Sequence, residues 1–231
     1  MNKSAVFTYI AAMTAAMLVG CATNRPLKQL ASNMVPIPEQ KFMLCKYEVS
    51  QSLWNAVMKD NPSYAKGDLL PVESVSWDDC QDFIAKLNAK PKVAESGRTY
   101  RLPTAEEWEY ACRIGATGKY RPSASESHIY EDASGYSVGF DGIIEEGTRP
   151  VGQKEPNLLG LYDMHDNVCE WCEKEPEGAA PEKQNGSSHR VYCGGSWQSP
   201  AWFSMASFWR WGGQGQKENF IGLRLACDVV Q

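Results

Sequence analysis

Apolar periodicity in this chain comes in short bursts, and that limits the folds open to it. Two bursts have a helix start written beside them. Ser76 can cap a helix whose first turn carries Asp78 and Asp79, and whose Cys80, Phe83, Ile84 and Leu87 share one apolar face. In the run Arg101-Leu102-Pro103-Thr104-Ala105-Glu106-Glu107-Trp108, Thr104 and Glu107 form a capping box. Gly115 is placed to stop that helix behind Trp108, Tyr110, Ala111 and Ile114. A Ser50 cap predicts a third helix through Met58, ending before the turn Asn61-Pro62-Ser63. Strands are expected at Phe42 to Val49, Asn167 to Trp171, His189 to Cys193 and Phe220 to Val229. The last is marked by alternating Ile221, Leu223, Leu225 and Cys227. Thr117 to Pro156 is rich in Gly, Ser and charge and reads as long surface loops with short strands. Two or three helices, short strands and long irregular loops predict an α+β fold.

The N-terminus speaks to location. Lys3 precedes an apolar segment, Ala5 to Val19, that is too short and Ala-rich for a comfortable membrane span. It runs into Leu18-Val19-Gly20-Cys21, which resembles the lipobox of bacterial lipoproteins. The resemblance implies that residues 1–20 are a signal peptide, that Cys21 is lipidated, and that the mature protein is tethered by several acyl chains rather than spanning the bilayer. Ala22 after the Cys favours the bacterial outer membrane, facing the cell surface. An ordinary secretory signal with a chance Cys is the alternative. Residues 22–33, polar with a proline, read as a spacer, and 34–231 as one domain.

The formal charge is −5, and losing Lys3 makes it one unit more negative. With no basic run, nucleic acid is excluded as a partner, because its binding rests on neutralised phosphates. Seven cysteines follow Cys21, at 45, 80, 112, 169, 172, 193 and 227. An odd count leaves at least one without an intramolecular partner. Cys169-Glu-Trp-Cys172 has zinc or redox spacing, yet no second pair completes a four-ligand set, so structural thiols are the favoured reading. His128, His165 and His189 show no HxH or HExxH spacing, and no nucleophile elbow appears.

The stretch from Gly194 to Trp211 gathers Trp197, Trp202, Phe203, Phe208, Trp209 and Trp211 among Ser, Gln, Ala and Gly, with Arg210 its one charge. Rigid aromatics with adaptable small polar residues are the mixture that binding surfaces favour. Trp202 and Phe203 are adjacent, as are Phe208 and Trp209, so some must point away from any single buried face. An exposed aromatic cluster needs a purpose. The candidate ligand-binding residues are therefore Gln198, Ser199, Trp202, Phe203, Ser204, Phe208, Trp209 and Trp211. A core role for most of the aromatics, and a salt-bridging frame role for Arg210, are the alternatives.

Several blocks occur in a telling order: Lys46-Tyr47-Glu48-Val49-Ser50, Asn61-Pro62-Ser63, Pro71 to Trp77, Arg101 to Cys112, Gly160-Leu161-Tyr162-Asp163, Asn167 to Trp171, Gly194-Gly195-Ser196-Trp197 and Gly222-Leu223-Arg224. Over residues 34 to 228 they resemble the sulfatase-modifying-factor domain of formylglycine-generating enzymes. The resemblance implies that family's variant of the C-type lectin fold, with its usual Gly-rich opening cut down to Met34 to Pro38. It also implies an enzyme that holds copper(I) with two cysteines downstream of the Gly-Gly-Ser-aromatic block. Here Ser199 and Ser204 stand at those positions, and a serine hydroxyl is a poor ligand for that soft ion. No catalytic residues, no copper and no other cofactor are therefore expected. Asp163, Asp166 and Glu170 match a stretch where some members bind calcium, and a solvated acidic turn explains them equally well. The family's bridge between its second helix and final strand implies Cys80–Cys227, shifted on both elements.

From Arg190 to Cys227 the chain resembles the variable region of diversity-generating-retroelement proteins, and its lipoprotein layout resembles the treponeme variable protein (TvpA) type. That implies a fixed frame of Arg190-Val191, Gly194 to Trp197, Ala201 and Ile221 to Arg224, with Trp197, like Trp108 and Trp171, in the core. Residues 198–200, 202–204 and 207–216 would vary and contact a protein or carbohydrate ligand on another cell or phage. A non-copper enzyme of this fold and a constant envelope scaffold lipoprotein are the other classes.

Overall fold

The computed structural model describes residues 25–114, 147–174, 189–199 and 201–229, with the backbone alone at 201 and 202. Cys21, His128 and Gly115 lie outside the described residues. In chain order the elements are α1 (25–30), β1 (Met34–Pro36), β2 (Phe42–Cys45), α2 (Gln51–Asn55), α3 (Trp77–Asn88), α4 (Pro91–Ala94), β3 (Tyr100–Arg101), α5 (Ala105–Arg113), β4 (Cys169–Trp171), β5 (His189–Cys193), β6 (Trp209–Gly213), β7 (Ile221–Gly222) and β8 (Ala226–Asp228). The mixed α+β class is as expected. Five helical segments among the described residues replace the two or three read from the sequence, because α1 and α4 are too short for their periodicity to register.

The two long helices start where the caps place them. Ser76 Oγ accepts from the Asp79 N–H and the Asp79 carboxylate accepts from the Ser76 N–H, closing a capping box on α3. Thr104 and Glu107 do the same for α5. Trp77, Cys80, Phe83, Ile84 and Leu87 form the buried face of α3, and Trp108, Ala111 and Cys112 that of α5.

Two four-stranded sheets carry the fold. The first, ordered β1-β2-β8-β3, is antiparallel. The second, ordered β6-β5-β4-β7, is antiparallel except where β4 runs parallel to β7, Cys169 opposite Ile221. The single strand expected over 220–229 is therefore two strands in different sheets. Between them Leu223 and Leu225 carbonyls accept from Val49 and Cys45 N–H groups, carrying the chain across. Residues 221 to 227 are buried on both sides, so their apolar alternation did not mark an inside and an outside face. The strand expected over 42–49 likewise ends at Cys45.

Three other expectations change. The spacer read over 22–33 is partly core: residues 25–30 are helical, Leu30 is buried and Leu27 packs beside it, one turn earlier. Cys80 and Cys227 sit in one apolar cluster as free thiols and not as a bridge. Burial pushes both thiols up, so they pack as small apolar groups. Trp108 and Trp171 are fully buried, whereas Trp197 is half-buried and donates its indole N–H to the Asn219 carbonyl at 3.2 Å. No helix of the described residues is long and apolar enough to cross a membrane.

Candidate ligand-binding face

A buried ion pair fixes the frame beneath the C-terminal segment. Arg224 and Glu170 are 0 % and 1 % exposed at their side chains. The guanidinium donates to both carboxylate oxygens at 2.7 to 3.0 Å, and to the carbonyls of Cys45, Lys46 and Tyr162. The Trp108 indole N–H donates to the same carboxylate at 2.6 Å. A buried pair this fully satisfied ties β2, β4, α5 and the crossing segment together, and removing either partner would strand a charge. Beside it Glu48 is buried, accepting from Asn167 Nδ2 at 2.6 Å and from the Val168 N–H at 3.1 Å. Asp163 and Asn167 both take left-handed backbone, φ 58° and 67°, a conformation Asn and Asp tolerate better than other non-glycine residues.

The Gly-Gly-Ser block then turns out of β5. Gly194 has φ +80°. A Cβ on Gly195 would fall 2.1 Å from Ser204 Oγ and 2.4 Å from the His165 carbonyl, so only glycine lets the turn at 201–204 pack against this backbone. His165 holds the turn from below, Nδ1 lying 2.7 Å from the Ser204 carbonyl. Ser199 Oγ accepts from the Ser196 N–H at 3.0 Å and meets Ser196 Oγ at 2.8 Å. Ser199 and Ser204 are both buried. They build the support of the segment, while Gln198 is exposed.

The next residues form β6, an edge strand paired to β5 with Tyr192 opposite Arg210 and Cys193 opposite Trp209. Side chains alternate along a strand, so the aromatics divide. Trp209 and Trp211 lie on one face, packed at their inner edges against the α5 cluster, ring to ring at 5.6 Å and 89°. Arg210 lies on the other. Its guanidinium carbon is 4.3 Å from the Phe203 ring centre, 5.3 Å from Tyr192 and 5.9 Å from Phe208. Phe203 and Phe208 rings are 4.8 Å apart. All four aromatics from Phe203 to Trp211 are half-buried. Trp202 has its backbone in the 201–204 turn, and its side chain is outside the described residues. The candidates read from the sequence thus fall into three groups: Phe203 and Phe208 around Arg210, Trp209 and Trp211 on the reverse face, and Ser199 and Ser204 beneath. Nothing in the sequence points to the part Tyr192 plays here, and His165 stands in it only as a histidine without metal or catalytic spacing. The register of β5 against β6 is what brings Tyr192 to Arg210, 18 positions away in the chain.

The pattern of the sulfatase-modifying factor enzyme 1-like domain matches residues 13–229. The chain belongs to that family. Chaperone protein LppX of Paenibacillus barcinonensis is 33 % identical over 202 residues, 68 % of this chain and 70 % of that protein. Mouse inactive C-alpha-formylglycine-generating enzyme 2 is 32 % identical over 138 residues, 55 % of this chain but 38 % of its own length. Among solved structures, Treponema denticola variable protein 1 superposes with a TM-score of 0.63 at 24 % identity, covering 84 % of this chain and 91 % of that one.

Ser199, expected at one of the thiolate positions, has its hydroxyl engaged with Ser196, and Ser204, expected at the other, is buried against Gly195. No group of three His, Cys, Asp or Glu side chains among the described residues could hold a metal ion. The three carboxylates weighed for calcium are drawn apart: Glu170 is held by Arg224 and Trp108, Asp166 by Arg149 and Lys154, and Asp163 accepts from the Gly152 N–H. Cys169 and Cys172 do not share a site. Cys169 Sγ lies 3.3 Å from the Gly194 carbonyl, and Cys172 Sγ lies 3.5 Å from Cys193 Sγ. The likeness to an inactive formylglycine-generating-enzyme paralogue is consistent with loss of the family's copper chemistry.

Proposed function

We propose that this chain is a non-catalytic ligand-binding lipoprotein, lipid-anchored through Cys21 at the bacterial outer membrane and displayed at the cell surface. Residues 198–216 are its contact surface, carried on the family's C-type-lectin-like scaffold. The observation that carries the reading is the pairing of two facts at one place. Serines stand where the family's copper cysteines are expected, and the same segment presents half-exposed Phe203 from the 201–204 turn, Phe208 just before β6, and Trp209 and Trp211 on that edge strand. Large rigid rings over a buried polar support are what a paratope needs. The likeness to Treponema denticola variable protein 1 supports diversification of the same segment by a retroelement, with the frame of Gly194 to Trp197 and Ile221 to Arg224 held constant. A protein or a carbohydrate on another cell or phage is the ligand class.

A second reading has its own support. LppX, which matches over most of this chain, is named a chaperone. In that reading this chain is a constant envelope protein whose aromatic surface holds one fixed partner. Deep sequencing of the 3′ end of the gene across cells of one lineage decides between them. Substitutions confined to codons 198–216, inside an invariant frame, are the expected result. A uniform sequence would remove diversification and leave the constant-partner reading.

A further inference from the structure

Among the described residues Arg210 is a cation without an anion. Arg101, Arg113, Arg149 and Arg224 each meet a carboxylate. Among the described residues no carboxylate meets Arg210. Its Nη2 contacts only the Cys169 sulfur at 3.3 Å and, at the edge of hydrogen bonding, Ser199 Oγ at 3.4 Å. Cys169 does not supply the missing charge, because burial outweighs the nearby Arg210 and holds its thiol up at about 11. The rings of Phe203, Tyr192 and Phe208 frame the guanidinium, and such faces hold a guanidinium in place without neutralising it. Arg190 shares this side of the sheet as a diagonal neighbour, since it pairs with Gly212 while Tyr192 pairs with Arg210. It stacks on Trp77 at 3.9 Å, and its Nε is buried without a hydrogen-bond partner. Two arginines on this face set positive charge against Glu218, the single carboxylate among the described residues whose field reaches Tyr192 beside that of Arg210.

We infer that the face formed by Arg210 of β6, Tyr192 of β5 and the rings of Phe203 and Phe208 recognises an acidic side chain of a protein partner. Its carboxylate would sit edge-on to the Arg210 fork, with the apolar stem or a neighbouring residue on the two phenyl rings. A planar fork matches a carboxylate in two parallel hydrogen bonds. Fixed, partly desolvated arginine within an aromatic rim is the composition of an interface hot spot. The inference rests on the reading of residues 198–216 as a contact surface and adds the chemistry of what it contacts. It also makes Trp209 and Trp211, on the reverse side, secondary to Phe203 and Phe208.

A random peptide library selected on the whole chain tests it without knowledge of the natural partner, with an array of neutral and acidic glycans run beside it. Peptides whose capture is lost on Phe208→Ala should be enriched in Asp or Glu. Replacing that residue by Asn or Gln in the peptide should weaken binding by at least about tenfold. Arg210→Gln should produce the same loss, the two changes should not add, and Arg210→Lys should retain part of the affinity. The peptide-side change leaves the protein untouched, so misfolding cannot mimic the result. Phe208-dependent peptides that tolerate loss of their acid would overturn the acidic-partner inference and leave the contact surface standing. Arg210-dependent capture of acidic glycans alone would overturn the protein partner. Peptides insensitive to Phe208, Trp209 and Trp211 alike would overturn the contact surface itself.

Discussion

Glu48 carries the clearest pH signature in the molecule. It is buried, its carboxyl is held well above the ordinary 4.5, first by desolvation and then by the negative charges of Asp163 and Glu170, with Arg224 and the Val168 N–H opposing. Asp163 is raised too, again first by burial. For an acid raised in the folded state, the unfolded chain releases its proton first. The stability present below about pH 4.5 is therefore lost as pH rises toward the folded value. Urea unfolding of the wild type between pH 4.5 and 8 should show midpoints that fall with pH, and Glu48→Gln should flatten that slope, leaving the part due to Asp163. Parallel slopes would show that Glu48 is not the linked group. Sequence alone placed this residue in a recognisable block but said nothing of its protonation, since its partners Asn167 and Val168 lie about 120 positions away. The same distance problem hid the Glu170–Arg224 pair. The serines at 199 and 204, where the family resemblance implies copper cysteines, were legible at once, because that needed only residue identity at two positions. Their burial was not.

Elements were legible where a local rule writes their boundary and illegible where pairing does. The caps at Ser76 and Thr104 rest on contacts within four residues, and both helices begin where those caps stand. The strand His189–Cys193 also falls as read. β1, β3 and β7 are two or three residues long, and only their neighbours across the sheet define them. β6 was read as contact surface alone, although its alternation is what sorts Trp209 and Trp211 from Arg210. The α5 cap does more than start a helix. Glu107 closes the box on Thr104 and pairs with Arg101 of β3 at 2.6 and 2.7 Å, so one carboxylate joins a helix start to the edge of the first sheet. Thr104→Ala should lower unfolding stability by about 1 kcal/mol, read as a shifted urea midpoint with unchanged slope. Binding by Phe208-dependent peptides should be unaffected, because the frame of the second sheet stays intact. A loss of binding as large as the loss of stability would mean that the two sheets move as one unit at the contact surface.

At the scale of the whole molecule, the question is how a small α+β domain is presented. The proposed anchor at Cys21 and the first described residue, 25, are so close in the chain that even fully extended backbone would span only about 14 Å between them. With Leu27 and Leu30 packed into the core, residues 25–33 cannot serve as the free leash that composition alone predicted. A lipidated chain of this design would sit against its membrane, its orientation set by the domain and not by a long tether. One acyl chain holds a protein marginally and several hold it firmly, so the proposal stands or falls on a covalent event. Cells fed an alkynyl palmitate analogue should yield a labelled wild-type chain that fractionates with the outer membrane, while Cys21→Ala should be unlabelled and recovered in the soluble fraction. Label retained in Cys21→Ala would move the acyl chain elsewhere. An unlabelled, soluble wild type would end the anchored reading, and Arg210 and its aromatic frame would then have to find their partner in solution.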